Sequence, residues 1–174
     1  MTGSATPAVP AAPHTLVNGL GADDARRELA RCCGSSAWVA EMLARRPFAS
    51  AAELYAVAET VWRGLSRRDF LEAFSQHPPI GQGHDRDAAG DWSAEEQARV
   101  ADAPADVAVA LAAANRAYAA RFGYIFIVCA TGKTADEMLR LLRARLDNTP
   151  ADELALAAAE QAKITRLRLE KLAR

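Results

Sequence analysis

Apolar side chains recur at three- and four-residue spacing along almost the whole chain, and polar caps with proline or glycine breaks cut that pattern into helices. Asp23 and Asp24 are placed to cap a helix running to about Cys32. Ser35 or Ser36 starts another through Trp38 and Leu43, which stops before Arg46-Pro47-Phe48. Ser50 and Glu53 form a capping box opening a helix through Trp62, and Ser66 opens the next, which runs into His77. Gly81 to Asp91 reads as a loop. Ser93 starts a helix to about Asp102, Pro104 a longer one to Arg121, Thr134 one to Leu146, and Thr149-Pro150 the last.

Only Tyr124 to Ala130, after Gly123, breaks the helical period with a β-branched and aromatic run. A lone strand would lack a partner, so an extended segment or a buried helical turn is expected there. Residues 1–14, rich in Ala, Pro, Thr, Ser and Gly, read as a flexible tail that leaves His14 inert. Residues 15–174 read as a single all-α domain of about eight to nine helices, without a solenoid repeat.

Composition agrees: 51% of residues are apolar, chiefly alanine and leucine, and only 6% are aromatic. With 21 basic and 22 acidic residues the net charge is −1, so no charge excess points to nucleic acid or an anionic membrane. The longest apolar run is too short to span a bilayer and no secretory signal opens the chain, which leads us to expect a soluble, cytoplasmic protein. Cys32, Cys33 and Cys129 form neither a disulfide framework nor a zinc pattern and are read as reduced core residues.

Candidate chemistry gathers at His77-Pro78-Pro79-Ile80-Gly81, a rigid corner that stops a helix at one of three histidines. Ser93-x-x-Glu96-Gln97 follows beyond a glycine-containing loop. Taken alone, the first is a turn and the second a helix cap; together they can bring an imidazole and a carboxylate to one proton-transfer site. His77, His84, Asp85 and Asp87 lack metal-ligand geometry, so no metal is assigned. Gly132-Lys133-Thr134 mimics a phosphate loop, but Ile127 stands where its first glycine belongs. In the last helix, at about 100° per residue, Arg168 shares a face with Leu154, Ala157, Gln161, Ile164 and Leu172, whereas Arg166 falls opposite with Lys163 and Glu170. An inward arginine either snorkels or meets an anion, and Gln161 would add a neutral donor and acceptor beside it.

Three motifs in order, His77-Pro78-x-Ile80-Gly81, Trp92-Ser93-x-x-Glu96-Gln97 and Phe122-Gly123-x-x-Phe126-Ile127-x-Cys129-Ala130, resemble the 2-oxo-4-hydroxy-4-carboxy-5-ureidoimidazoline (OHCU) decarboxylase family. The resemblance runs from about Leu16 to Leu172. It includes Cys32-Cys33-Gly34-Ser35-x-x-Trp38, Arg46-Pro47-Phe48 and Ile164-x-x-Leu167-Arg168-Leu169, and departs at Pro79, where many relatives carry arginine or lysine. It implies an all-α, cofactor-free enzyme of urate degradation that forms (S)-allantoin, with His77 as proton donor. Pro78, Ser93, Gln97, Phe126, Ile127, Val128 and Arg168 would bind the small-molecule substrate, and a homodimer is implied as well.

The substrate carries a hydroxyl and a carboxylate on one ring carbon beside a C=N carbon, so it supplies its own electron sink for loss of CO2. What remains is positioning and proton delivery, for which histidine is suited near neutral pH. Glu96 is the expected partner that keeps His77 charged and oriented. Two rival readings stand beside this one: a non-catalytic helical interaction domain, and a decarboxylase of a related ureido acid.

Overall fold

The structure is a computed structural model that describes residues 11–78 and 104–172. Among these it holds eight helices: α1 (Pro13–Gly19), α2 (Ala22–Cys32), α3 (Ser36–Ala44), α4 (Ala51–Arg63), α5 (Arg67–Ser75), α6 (Ala105–Phe122), α7 (Ala135–Arg145) and α8 (Pro150–Lys171). No strand accompanies them, as the all-α expectation requires. None of these helices is long and apolar enough to cross a membrane.

Most boundaries follow the capping chemistry of the sequence. Ser35 Oγ accepts the Trp38 N–H at 3.2 Å, and Thr149 Oγ1 accepts that of Asp152 at 3.2 Å with Pro150 in the first turn. Thr134 and Glu137 close a reciprocal box. Four details differ from expectation. A helix already begins at Pro13, because proline at the first helical position fixes φ and gives up an N–H that would have had no partner; Val17 on this helix is fully buried. Gly21 takes the cap position of α2, leaving Asp23 and Asp24 in its first turn, where their charges face the positive end of the helix dipole. At α4, Ser50 Oγ accepts the Glu53 N–H at 3.1 Å, but the Glu53 carboxylate reaches back to the Ala49 N–H, one residue earlier than in a box. Finally, α5 stops at Ser75, and the His77 N–H closes the following turn on the Phe74 carbonyl at 3.1 Å.

Two buried clusters divide the molecule. In the larger one α8 packs against α1, α2 and α4, while α3 packs against α2, α4 and α5; Trp38, Met42, Leu54, Phe74 and Leu169 fill its centre. Leu111, Tyr118, Met138 and Leu142 of the packed pair α6 and α7 form the smaller one. Residues 124–130 run between them. Ile127 and Cys129 point into the first cluster, whereas Phe126, Val128 and Ala130 point into the second. This alternation is what an extended chain produces, since successive side chains face opposite ways. The strand-like run of the sequence is therefore an extended strap with a core on each side.

The end of α5, and so His77, is held from α3. Ser36 donates its N–H and hydroxyl to Glu72 Oε2, at 3.2 and 3.1 Å. A Cβ built on Gly34 would lie 2.4 Å from Gln76 Cγ and 2.7 Å from Gln76 Cβ, so only glycine lets the residue next to His77 pack there. Arg46-Pro47-Phe48 serves as a brace: the Asn18 side chain bonds both backbone groups of Phe48 at 2.8 and 2.9 Å, and Arg46 caps the Asn18 and Leu20 carbonyls at 2.8 and 2.5 Å.

Gly34→Ala is expected to lower stability by about 1–3 kcal/mol, the usual cost of overpacking, because the near end of Gln76 cannot swing clear. Denaturant unfolding measures this, and an unchanged midpoint would contradict the close approach.

Candidate active site

His77 lies half-buried in the turn after α5, with Pro78 beside it, and turns its ring toward α8. Its Nε2 is 2.7 Å from Oε1 of Gln161, a side chain with no solvent exposure. Gln161 Nε2 donates to Thr165 Oγ1 at 3.2 Å, one turn further along α8. About two turns beyond Gln161 on the same buried face, Arg168 is 4% exposed and donates from Nη1 to the Arg31 carbonyl at 3.3 Å, at the negative end of α2. The helical phase that set Arg168 inward and Arg166 outward is thus what the structure shows. Arg166 is exposed, pairs with Glu170 at 2.7 Å and lies over the Tyr55 ring.

Neither cysteine beside Arg168 is a nucleophile. Burial pushes the Cys33 thiol up to about 11 against the opposing pull of the Ser35 N–H and the Thr165 hydroxyl. Burial raises Cys32 further still, and the Arg168 charge only partly offsets it. Both stay neutral thiols at physiological pH, which leaves the imidazole as the proton-exchanging group among these side chains.

The strap meets α8 at Glu160, the residue before Gln161. Phe126, Ile127 and Val128 spend their side chains on the two cores, so their backbone is the part that can meet a substrate. That backbone is pinned by side chains from three directions. Arg145 Nη1 donates to the Ile127 carbonyl at 2.8 Å, Glu160 Oε2 accepts the Cys129 N–H at 2.7 Å, and Lys133 Nζ donates to the Cys129 carbonyl at 2.7 Å. In a trans peptide C=O and N–H point opposite ways, so fixing the Ile127 carbonyl on Arg145 turns the Val128 N–H away from Arg145. Glu160, one residue before Gln161, ties the strap to the helix that holds His77.

Arg145 is itself held by Glu153, which is completely buried. Its Nε and Nη2 reach Glu153 Oε1 at 2.8 and 2.5 Å; Tyr118 donates to the same oxygen, and Asn148 Nδ2 donates to Oε2 at 2.7 Å. The guanidinium also sits 4.7 Å over the Phe126 ring. Burial, with the neighbouring Glu153 carboxylate, drives the Tyr118 hydroxyl far above its usual range, so it remains a donor.

Sequence reasoning named His77, Pro78, Arg168 and the 126–128 stretch, and did not assign roles to Arg145, Glu153 or Glu160. Their signal is the one that exposed Arg168: a polar residue on the apolar face of a helix, Arg145 in phase with Met138 and Leu142 of α7. Ser93, Glu96 and Gln97 lie outside the described residues. Among the described residues no group of three or more His, Cys, Asp or Glu side chains is placed to hold a metal ion. An apolar groove of about 610 Å³ between α4, α5 and α8, lined by Tyr55, Trp62, Phe70 and Ala162 among others, shares only Thr165 with the His77 cluster.

Arg145→Met should destabilise the protein by about 3–5 kcal/mol, because it leaves the Glu153 charge buried and loses the Ile127 anchor, whereas Arg166→Ala should cost less than about 1 kcal/mol. Thermal and denaturant unfolding of the two variants give the comparison. Burial pushes Glu160 up, but the Lys163 ammonium, the Cys129 N–H and the Lys133 charge together hold its carboxyl below the ordinary 4.5. A lowered folded value means stability that is full above pH 4.5 and is lost as pH falls through the folded value. Glu160→Gln should therefore flatten the acid side of the melting-temperature profile, and an unchanged slope would count against this contact.

Residues 18–170 match the family model of OHCU decarboxylase. The uric acid degradation bifunctional protein TTL of Arabidopsis thaliana is 39% identical over 145 residues, which cover 81% of this chain and 45% of that protein. The chain thus spans less than half the length of that relative. A 2-oxo-4-hydroxy-4-carboxy-5-ureidoimidazoline decarboxylase of Haloferax volcanii is 28% identical over 137 residues, covering 77% of this chain and 80% of the other. The fold superposes on a crystal structure of OHCU decarboxylase in the presence of (S)-allantoin with a TM-score of 0.74 and 38% identity, over 84% of this chain and 96% of that one. With its motifs, its helical order and the family model all in register, the chain belongs to the OHCU decarboxylase family.

Proposed function

We propose that the protein decarboxylates 2-oxo-4-hydroxy-4-carboxy-5-ureidoimidazoline to (S)-allantoin without a cofactor. The observation that carries this reading is the lock between His77 Nε2 and Gln161 Oε1 on the α8 face that also bears Arg168. It supplies one oriented imidazole, one inward guanidinium and one backbone strap, the three things the reaction asks of a protein: proton delivery, anion recognition and polar anchoring. Arg168 meets the anionic or oxygen-rich part of the substrate, and the strap backbone near Ile127 and Val128 bonds its ring or ureido oxygens. Pro78 forms the wall beside the histidine.

Loss of CO2 sends the bonding electrons toward the adjacent C=N, so that the two ring carbons form an enol while the ring nitrogen takes a proton. The ureido-bearing carbon then takes a proton from His77 on one face as the hydroxyl gives up its own and becomes the carbonyl. Glu96 holds the imidazole charged and disfavours retention of the substrate carboxylate, while Ser93 and Gln97 bind the substrate; the family resemblance supports these three roles. A cytoplasmic location suits three buried free thiols. A homodimer suits the exposed Ala155, Leu156 and Ala159 on α8.

Freshly generated substrate followed by circular dichroism tests the proposal: the protein should accelerate formation of one allantoin enantiomer, and racemic product at the spontaneous rate would favour a non-catalytic domain. His77→Asn and Glu96→Ala should each lower kcat by about 100-fold or more, in the range of lost general acid–base catalysis. Arg168→Gln should raise KM as well as lower turnover.

A further inference from the structure

The hydrogen bonds behind His77 have a direction, and that direction selects a ring nitrogen. The Thr165 oxygen accepts at 3.2 Å from the Gln161 amide nitrogen, one turn along the buried face of α8. An amide whose NH2 faces Thr165 turns its carbonyl oxygen to His77, 2.7 Å from Nε2. A carbonyl oxygen can only accept, so Nε2 must carry the hydrogen.

Resting on the decarboxylase reading above for its catalytic consequence, we infer that Gln161, backed by Thr165, is a positioning residue that fixes His77 as the Nε2–H tautomer, so that the proton exchanged with substrate is the one on Nδ1. Gln161 suits this task because its amide accepts from both the neutral and the charged ring, which keeps the imidazole in one orientation through the proton transfer. Its full burial lets it hold that geometry without competition from water.

Nitrogen-15 NMR of histidine-labelled protein without substrate tests this, with only three histidines to assign. Neutral His77 should show a pyrrole-type Nε2 and a pyridine-type Nδ1. The opposite pattern in the unsubstituted protein overturns the inference. Gln161→Met should mix the two tautomers and lower kcat by about 10–100-fold with far less change in KM, the usual scale for a group that orients another. Gln161→Glu keeps an acceptor oxygen and should restore the Nε2–H pattern. A folded Gln161→Met protein with an unchanged His77 pattern also overturns it. If that variant does not fold, Thr165→Val, which releases the amide to flip, should mix the tautomers, and an unaltered pattern there has the same adverse meaning. Because the spectra need no substrate, they stand even if the protein proves inactive on the ureidoimidazoline.

Discussion

A single buried carboxylate joins the two halves of this molecule. Glu153 starts the inward face of α8, yet its partners come from α6, α7 and the turn before α8: Tyr118, Arg145 and Asn148. A full charge with no access to water survives only when donors meet it, and here both carboxylate oxygens accept, Oε1 from Tyr118 and Arg145 and Oε2 from Asn148. The same guanidinium that neutralises Glu153 then holds the Ile127 carbonyl. One ion pair therefore ties α6 and α7 to α8, and holds the path of the strap between the two cores.

That path solves a problem of backbone chemistry. An extended segment without a neighbouring strand carries N–H and C=O groups that a hydrophobic core would leave unpaired. Arg145, Glu160 and Lys133 supply the missing ladder from side chains. The two cores claim the alternate side chains, and what is left to act on a ligand is main chain held in a chosen orientation. Backbone groups fixed in this way have no rotamers to lose when a substrate arrives.

Much of this was legible from residue patterns. Ser35, Thr134 and Thr149 announced their helices because a cap is a local contact, and the inward turn of Arg168 followed from phase alone. The strap was visible as a lapse in the helical period. Its anchors were not, because Arg145 and Glu160 satisfy main-chain groups that lie 18 and 31 residues away, and side-chain identity does not state a partner at such range. Helix α1 escaped notice since its one fully buried residue, Val17, gives no period to read. Gly34 could be seen to matter only once Gln76 was found against it.

Helix α8 carries Glu153, Glu160, Gln161, Thr165 and Arg168, the polar residues of its buried face. His77 precedes its Gln161 partner by 84 residues. On a growing chain, α1 to α5 are synthesised long before α8, and contacts this distant in sequence form late, since loop closure must precede them. The histidine thus emerges early but is locked to Gln161 only when the last helix docks. Assembly of the fold and arming of the imidazole become one event, so a half-made chain does not present the finished site.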